Sequence, residues 1–331
     1  MVGQENGGIK MKNGYLIIVL ILTLSFLLTP LLAIGDKSDL KEENKGTTSS
    51  KAEETTDKIS LYSSQSKDIT EIEVKEYICG VVAAEMPAMY EKEALKAQAI
   101  CAYTYLCKKL KENSGNEYDI TDDSKIDQGY ITYQKRKEKW GDGFDEYEKK
   151  ILSAVESVTD LVITYNGEII FAAYHALSSG KTENAANVWG GDYPYLTAVE
   201  SEGDCLSDGY LSEKTVSLKD FQDKLKNKEI TLGDSPAEYI KILKRSDSGT
   251  VLKAAVGNKE LKGSEIREIF DLRSSDFEVE YKEDVGFKFT VKGYGHGVGM
   301  SQFGANYLAK QGKTCDEIIK HYYTGVEIVK K

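Results

Sequence analysis

The alternation of apolar and polar positions predicts an amphipathic helix near the start of the folded part of the chain. Between residues 74 and 86, apolar side chains recur at intervals of three and four, at Val74, Tyr77, Ile78, Val81 and Val82. This spacing places them on one buried face of a helix. Pro87 disfavours helical conformation at the residue before it, so we expect the helix to end at Met86.

The next segments show a change of period from helix to strand. A second helix is predicted from about Glu91 to Leu110, with Glu93 facing solvent. The segment 158–174 then contains an Asn-Gly pair between two β-rich runs, which indicates a hairpin. Residues 210–290 mix short helical and strand patterns, and their strand order does not follow from the pattern.

Capping residues indicate two more helices near the C-terminus. Ser301 can cap a helix that stops at Gly312. Thr314 and Glu317 have the spacing of a capping box for a last short helix. Helices and short strands in this mixture predict an α+β fold.

An apolar segment precedes the folded part. Residues 15–35 are 21 residues without a charge and follow two lysines, and about 20 apolar residues suffice to span a bilayer. Because positive flanks stay in the cytoplasm, we predict a cytoplasmic N-terminus at 1–14 and a single transmembrane anchor at 15–35. The alternative is a cleaved signal peptide, since Ala33-Ile34-Gly35 has the pattern of a cleavage site. Both interpretations place the rest of the chain outside the cytoplasm.

Composition changes again after the apolar segment. Residues 36–60 are rich in Lys, Glu, Asp, Ser and Thr and have almost no large apolar side chain, which predicts a disordered tether. A single globular domain is predicted at 61–331. The net charge of -11 argues against a nucleic-acid partner, because phosphate binding requires clustered Lys and Arg.

Glu85 is the strongest candidate for chemistry by position alone. It is the next inward site of the stripe that runs through Val81 and Val82. Burial of a carboxyl raises its pKa, and a raised pKa is what a general acid needs. The alternative is that Glu85 turns outward at the helix end and has no chemical role.

The histidines and their neighbours suggest loops rather than a hydrolase or metal site. His175 precedes Ser178 and Ser179, but this segment lacks the G-x-S-x-G pattern of a hydrolase serine, and a structural turn is the alternative. His296 lies among glycines at 293, 295, 297 and 299, and Val298 breaks the dinucleotide pattern. The three histidines form no close ligand pair and the five cysteines no C-x-x-C pair, so we predict neither a metal nor another cofactor.

Three segments in this order resemble the SpoIID/LytB family. They are EMPAMYEKEALKAQAICAYTYL (85–106), HALSSGKTENAANVWGG (175–191) and GYGHGVGMSQFGANYLAKQGKT (293–314). The resemblance implies that 61–331 is the catalytic domain of a lytic transglycosylase. Such an enzyme cleaves the bond between N-acetylmuramic acid and N-acetylglucosamine without water and leaves a 1,6-anhydro end. Glu85 matches the family's catalytic glutamate.

The resemblance also implies which side chains line a substrate groove. Polar residues of the family motifs match Gln98, His175, Ser178, Ser179, Lys181, Thr182, His296 and Gln302. Tyr103 stands where relatives often have Arg, so the substrate contact at that position is changed. Some relatives hold zinc in the segment that matches 118–130, but this segment has neither Cys nor His here, and no zinc is carried over.

The resemblance implies partners and a location as well. The expected substrate is the glycan strand of peptidoglycan after its peptides are removed, and the expected partners are a cell-wall amidase and membrane proteins of the engulfment machinery in endospore formation. The expected location is the cell membrane, with one membrane pass and the catalytic domain outside. The alternative is a non-catalytic, glycan-binding activator of an amidase, since some relatives enhance such a partner.

Overall fold

The computed structural model describes residues 58–331. The predicted anchor at 15–35 and most of the predicted tether at 36–60 lie outside the described residues. Among residues 58–331 there is no helix with both the length and the apolar character needed to cross a bilayer.

Helices and short strands alternate irregularly along the chain, which confirms the predicted α+β class. The helices of the described part are α1 (Val74–Glu85), α2 (Lys92–Glu112), α3 (Tyr133–Trp140), α4 (Phe144–Glu156), α5 (Ala185–Val188), α6 (Leu218–Leu225), α7 (Gly263–Phe270), α8 (Gln302–Lys310) and α9 (Cys315–Tyr322).

The strands are short. They are β1 (Lys58–Tyr62), β2 (Ile69–Glu73), β3 (Ile120–Thr121), β4 (Leu161–Tyr165), β5 (Glu168–Ile169), β6 (Tyr174–His175), β7 (Leu211–Val216), β8 (Ile240–Arg245), β9 (Val251–Val256), β10 (Lys259–Leu261), β11 (Asp276–Lys282), β12 (Gly286–Lys292), β13 (Met300–Ser301) and β14 (Glu327–Lys330). Because β1 begins at Lys58, the folded part starts slightly before the predicted boundary at residue 61.

These strands form several small sheets instead of one large one. Three-stranded sheets have the orders β2-β1-β3, β10-β9-β8, β11-β12-β7 and β14-β4-β5, and β13 pairs with β6. The β1–β3 and β6–β13 pairs are parallel, and the others are antiparallel. In the β6–β13 pair, Met300 lies opposite Tyr174 and Ser301 opposite His175. This pairing joins two distant motifs of the sequence.

The larger hydrophobic core surrounds α2. This helix packs against α1, α4, α8, α9 and β4. Its middle is rich in small buried side chains, among them Ala97, Ala99, Cys101 and Ala102. Small side chains let neighbouring helices approach closely on several sides, so α2 can be the central helix of this core.

A second hydrophobic core lies within 211–292, the region whose strand order was not predictable. It is built by β7–β12 with α6 and α7, and stacked phenylalanines fill its centre. The ring of Phe221 lies 3.9 Å from that of Phe287 and 4.7 Å from that of Phe270, measured between centroids. The chain leaves the larger core after Val199, forms this second core and returns to the larger core at Val298.

Local signals in the sequence predicted their elements well. The helix α1 ends at Glu85, and Met86 is extended before Pro87, as expected. The Asn166-Gly167 turn of the β4–β5 hairpin has positive φ at both residues, the conformation that Asn and Gly tolerate best. The Ser301 cap and the Thr314–Glu317 capping box are also confirmed.

Candidate active site

Glu85 ends α1, and its half-buried carboxylate accepts two hydrogen bonds. The backbone N–H of Gly129 donates to Oε1 at 2.9 Å, and Gln302 Nε2 donates to Oε2 at 3.3 Å. No salt bridge to Glu85 forms within the described residues. The carboxylate is therefore oriented by neutral donors and keeps lone pairs free for another partner.

The loop that carries Gly129 reaches Glu85 because glycine at two positions allows close contact. Gly80 of α1 lies directly under the ring of Tyr130, where any side chain would clash with that ring. The Ile131 N–H donates to the Gly80 carbonyl at 3.3 Å, which fixes the loop on the helix. At Gly129 itself, a Cβ would lie only 2.9 Å from Glu85 Oε1. A larger residue there would push the carboxylate away from its donor.

Gln302 links Glu85 to α2. It is the first residue of α8 and follows Ser301, so the parallel β6–β13 pair places it beside α1. Its Nε2 also lies 3.3 Å from Gln98 Oε1. Gln98 is fully buried on α2, and its own Nε2 has no partner within the described residues. Both predicted glutamines thus lie together with Glu85.

A set of polar side chains linked by hydrogen bonds lies near Glu85. Tyr174 donates its hydroxyl to Gln128 Oε1 at 2.8 Å, and Gln128 Nε2 donates to the hydroxyl of Tyr77 and to the carbonyl of Ala102, each at 3.3 Å. Burial and the nearby Glu85 carboxylate raise the pKa of both tyrosines. Because neither phenol ionises near neutral pH, both remain hydrogen-bond donors beside Glu85.

The electrostatic environment favours a protonated Glu85. Burial raises the pKa of its carboxyl above the ordinary value, and the hydrogen bonds from Gly129 and Gln302 lower it by less. A carboxyl with this balance holds a proton at higher pH than a free glutamate does. The sequence predicted that burial at the end of the apolar stripe would raise the pKa of Glu85, and the structure agrees.

Other predicted groove residues form a separate, closed cluster. Ser178 is buried, and both its N–H and its hydroxyl donate to Asp204 Oδ2. Ser301 donates its hydroxyl to Asp204 Oδ1 at 2.8 Å. Thr182 is fully buried and accepts from the Val199 N–H at 2.8 Å. The structure thus gives Ser178 and Thr182 protein partners and places them away from solvent.

Ser179 and Lys181 lie at the edge of the same loop. Ser179 donates to the Ser248 carbonyl at 3.0 Å, in the turn between β8 and β9. Lys181 forms an ion pair with Glu200 at 3.0 Å and is half-buried. The Ser179 contact connects the loop with the second core, and Lys181 pairs with a neighbouring loop residue, so neither side chain hydrogen-bonds or pairs with Glu85 or its partners.

His175 and His296 face each other on the other side of β6. Their ring centroids are 5.7 Å apart. His175 Nδ1 lies 3.1 Å from the Val298 carbonyl, while its Nε2 is buried without a partner in the described part. Burial lowers the pKa of His175 to about 3 and that of His296 to about 4. Both imidazoles are therefore neutral at physiological pH.

Tyr103 lies at the opposite end of α1 from Glu85. It lines a cavity of about 340 Å³ together with Val74 and Val158. Val74 and Glu85 are the first and last residues of α1, which a helical rise of 1.5 Å per residue separates by about 16 Å. The residue that replaces the family's Arg is thus not part of the Glu85 group.

Sequence reasoning missed several residues of the site. Gln128 and Gly129 lie in the segment 118–130, which the family resemblance had connected only with zinc. Tyr174 directly precedes His175, the first residue of a family motif, and this position could have marked Tyr174 as a site residue. Asp204 gave no signal, because an isolated acidic residue in a loop is common. No group of three or more His, Cys, Asp or Glu side chains among residues 58–331 could hold a metal ion.

One expectation about a neighbouring residue was only partly met, since the Glu93 side chain is 32% exposed but has protein partners. Glu93 does not face solvent freely: it accepts from Lys96 Nζ at 2.6 Å and from the Cys315 N–H at 2.9 Å. Its carboxylate stands at the first turn of α9, where the exposed N–H groups favour a negative charge. Glu93 therefore joins two helices, which periodicity within one helix could not reveal.

Two family profiles and several known proteins match this chain. A family profile described as stage II sporulation protein (SpoIID) matches residues 62–165, and one described as a domain of unknown function (DUF8618) matches residues 207–299. Stage II sporulation protein D of Bacillus subtilis (strain 168) is 40% identical over 273 residues, 82% of this chain and 78% of that protein. The same protein of Bacillus amyloliquefaciens is 39% identical over 82% of this chain and 78% of its own length. The amidase enhancer of Bacillus subtilis (strain 168) is 29% identical over 75% of this chain and 40% of its own length.

Proposed function

The chain belongs to the SpoIID family of stage II sporulation proteins, and from this premise we propose that it is a lytic transglycosylase of peptidoglycan. Membership of this family supports a role in sporulation and in cell-wall processing. The observation that carries the finer proposal is the environment of Glu85, a half-buried carboxyl with a raised pKa whose hydrogen-bond donors among residues 58–331 are all neutral.

In the proposed reaction, Glu85 acts first as an acid. Its raised pKa keeps a proton available, and the carboxyl donates that proton to the oxygen between N-acetylmuramic acid and N-acetylglucosamine. The bond from this oxygen to C1 of the muramic sugar breaks, and N-acetylglucosamine leaves with the proton. Gly129 and Gln302 hydrogen-bond the carboxylate that remains, and such bonds to charged acceptors are the stronger ones.

Glu85 then acts as the base. The carboxylate takes the proton from the C6 hydroxyl of the muramic sugar, and the C6 oxygen bonds to C1 to give a 1,6-anhydro ring. No water enters the products, and Glu85 recovers its proton. Ordinary glycosidases need two carboxylates because a second group activates water or attacks the sugar. Within this scheme one carboxylate suffices.

The proposal is tested by the products that form when purified peptidoglycan strands are incubated with the protein. Mass spectrometry of strands incubated with the full chain should detect 1,6-anhydro-muramic ends that grow with time. Hydrolysed ends in place of anhydro ends would refute the transglycosylase mechanism, because they would require an activated water.

A second function is supported by one comparison, the match to the amidase enhancer. In this alternative the chain binds glycan and stimulates a cell-wall amidase without cutting the strand. The same incubation separates the two, since an activator yields no anhydro ends alone but increases peptide release when an amidase is added.

We also propose that the folded part acts outside the cytoplasm, held by a membrane segment at 15–35. The support is the uncharged length of this segment and its preceding lysines. Protease added to intact protoplasts should then remove the folded part and leave the N-terminus protected. Full protection of the chain would refute this location.

A further inference from the structure

Two aromatic side chains are exposed beside His296, where the two cores meet. Trp189 is 42% exposed and Tyr294 is 48% exposed. The indole of Trp189 lies 5.0 Å from the His296 ring, and Phe171 and Tyr193 meet it edge to face at 5.7 and 6.4 Å. These contacts fix the orientation of the indole and leave part of it open to a ligand.

Two arginines next to this surface, Arg267 and Arg273, lack a carboxylate partner among residues 58–331. The chain has four arginines. Arg136 pairs with Glu148 at 2.8 Å and Arg245 with Glu278 at 2.7 Å, and each has a further carboxylate partner.

Arg267 and Arg273, in contrast, form no ion pair anywhere in residues 58–331. Within the described residues the Arg267 side chain donates a single hydrogen bond, from Nε to the Leu272 carbonyl at 3.3 Å. Arg273 lies over the ring of Tyr294, with its guanidinium carbon 4.5 Å from the ring centroid. Both arginine residues are half-buried, and their guanidinium groups retain donors that can bind a carboxylate in a bidentate manner.

The two arginines lie close to the aromatic pair. Arg267 lines one small cleft together with His296 and Val188, the residue before Trp189. The carbonyl of Arg273 accepts from the Gly295 N–H at 3.0 Å, next to His296 in the chain. Aromatic surface and free positive charge are therefore combined in one place of a protein whose net charge is -11.

We propose that Trp189, His296, Arg267 and Arg273 form a second, non-catalytic site that binds an acidic sugar. A pyranose ring has an apolar C–H face that can lie on an indole, and a carboxylate on the same sugar can pair with the guanidinium groups. N-acetylmuramic acid has this combination, because its lactyl group ends in a carboxylate. The proposal rests on the proposed function, in which the substrate is a glycan that contains this sugar.

The acidic-sugar site is separate from Glu85. Tyr174 and His175 are neighbours on β6 and point to opposite faces, since side chains alternate along a strand. Tyr174 bonds Gln128 on the Glu85 side, whereas His175 contacts Val298 and His296. The site would therefore hold a strand without taking part in bond cleavage, and a second contact raises the effective concentration of glycan at Glu85.

Fluorescence of Trp189 tests the site directly. The chain has two tryptophans, so a full chain with Trp140→Phe reports on Trp189 alone. This variant, also carrying Glu85→Gln to prevent turnover, is titrated with N-acetylmuramic acid and with N-acetylglucosamine. We expect a saturable change of emission at a concentration about 10-fold lower for the acidic sugar, because a carboxylate–guanidinium pair adds a charge-assisted contact. Calorimetry on the Glu85→Gln chain with both tryptophans gives the same comparison if Trp140→Phe disturbs folding.

Arginine variants decide whether the preference has the proposed cause. Arg267→Gln with Arg273→Gln should abolish the preference for the acidic sugar, and Lys244→Gln, which removes an exposed positive charge on β8, should preserve it. A muropeptide, whose lactyl carboxylate is bonded to a stem peptide, is the third ligand. Equal binding of muropeptide and N-acetylmuramic acid assigns recognition to any carboxylate, and weaker binding of muropeptide assigns it to the free lactyl group.

Two results would overturn the site. One is equal binding of acidic and neutral sugars, and the other is a preference that survives loss of both arginines. Neither depends on catalysis: anhydro products without sugar binding would overturn this site alone, and sugar binding without anhydro products would overturn only the lytic function.

Discussion

Glu85 and Asp204 are two carboxylates in the same part of the fold, and they differ in burial and in the number of hydrogen bonds that they accept from the protein. Asp204 is fully buried and accepts from the N–H and hydroxyl of Ser178 and from the hydroxyl of Ser301. Glu85 is half-buried and accepts one bond at 2.9 Å and a longer one at 3.3 Å. Burial raises the pKa of both groups.

This difference shows that two adjacent residues of one motif can have different roles, one in stability and the other in the proposed chemistry. Ser301 bonds Asp204, while Gln302, the next residue, reaches Glu85. A fully buried carboxylate whose two oxygens both accept from protein donors holds elements together and is not accessible to a ligand. A carboxylate with free lone pairs and access to solvent can exchange a proton with a substrate.

The strongest test of this contrast is Glu85→Gln, which keeps the shape of the side chain but cannot transfer the proton. Activity should fall by about 10²–10⁴-fold, the usual contribution of a general acid–base group. Formation of anhydro ends by the full chain is the measurement. Comparable rates in the variant would show that another group supplies the proton.

Stability provides the control for this variant. Because the pKa of Glu85 is raised in the folded state, its contribution to stability is present at low pH and is lost as pH rises through the folded value. A neutral amide avoids this loss, so the melting temperature at neutral pH should not decrease. Glu91→Gln is the matched active control, because Glu91 is exposed and its side chain has no hydrogen bond within the described residues.

The second test is Asp204→Ala, which should affect stability far more than chemistry. It leaves three buried donors of Ser178 and Ser301 without a partner. The free energy of unfolding should fall by about 3 kcal/mol, since one buried unsatisfied group costs about 1–3 kcal/mol.

Chemical denaturation measures this change, and Asp208→Ala, an exposed position in the same loop, is the control. Anhydro-end formation per folded molecule should remain near that of the parent chain. A loss of activity with unchanged stability would reverse the roles assigned to the two carboxylates.

A smaller effect is expected from Gln302→Ala. The bond from Gln302 lowers the pKa of Glu85, so its removal should raise that pKa. The reaction needs protonated Glu85 first, and activity falls as pH rises through its pKa. The alkaline limb of the pH profile should therefore move to higher pH, while the maximal rate decreases by about 10-fold through loss of orientation. Gln311→Ala, at the exposed end of α8, should change neither quantity.

Chelation should have no effect. Neither carboxylate lies in a group of residues that could hold a metal ion in the described part of the chain. Activity and melting temperature should be the same with and without a strong chelator. Stoichiometric zinc in the purified chain would contradict this and would direct attention to His175, His296 or a cysteine.

Local sequence signals were sufficient to predict features that depend on a single helix or strand. The stripe of α1 and the break at Pro87 place Glu85 at a helix end, and the caps at Ser301 and Thr314 define the last two helices. These features follow from interactions between residues at most four apart, which the sequence displays directly. The α+β class was likewise predictable from the mixture of periods.

Contacts between distant segments required the tertiary structure. Gly129 and Gln302 reach Glu85 across 44 and 217 residues, and Asp204 reaches Ser301 across 97 residues. Such pairings depend on how helices and strands pack, and many packings satisfy the same hydrophobic pattern. Ser178 and Gln302 look alike as polar motif residues, and only their partners assign one to the closed cluster and the other to the site of Glu85.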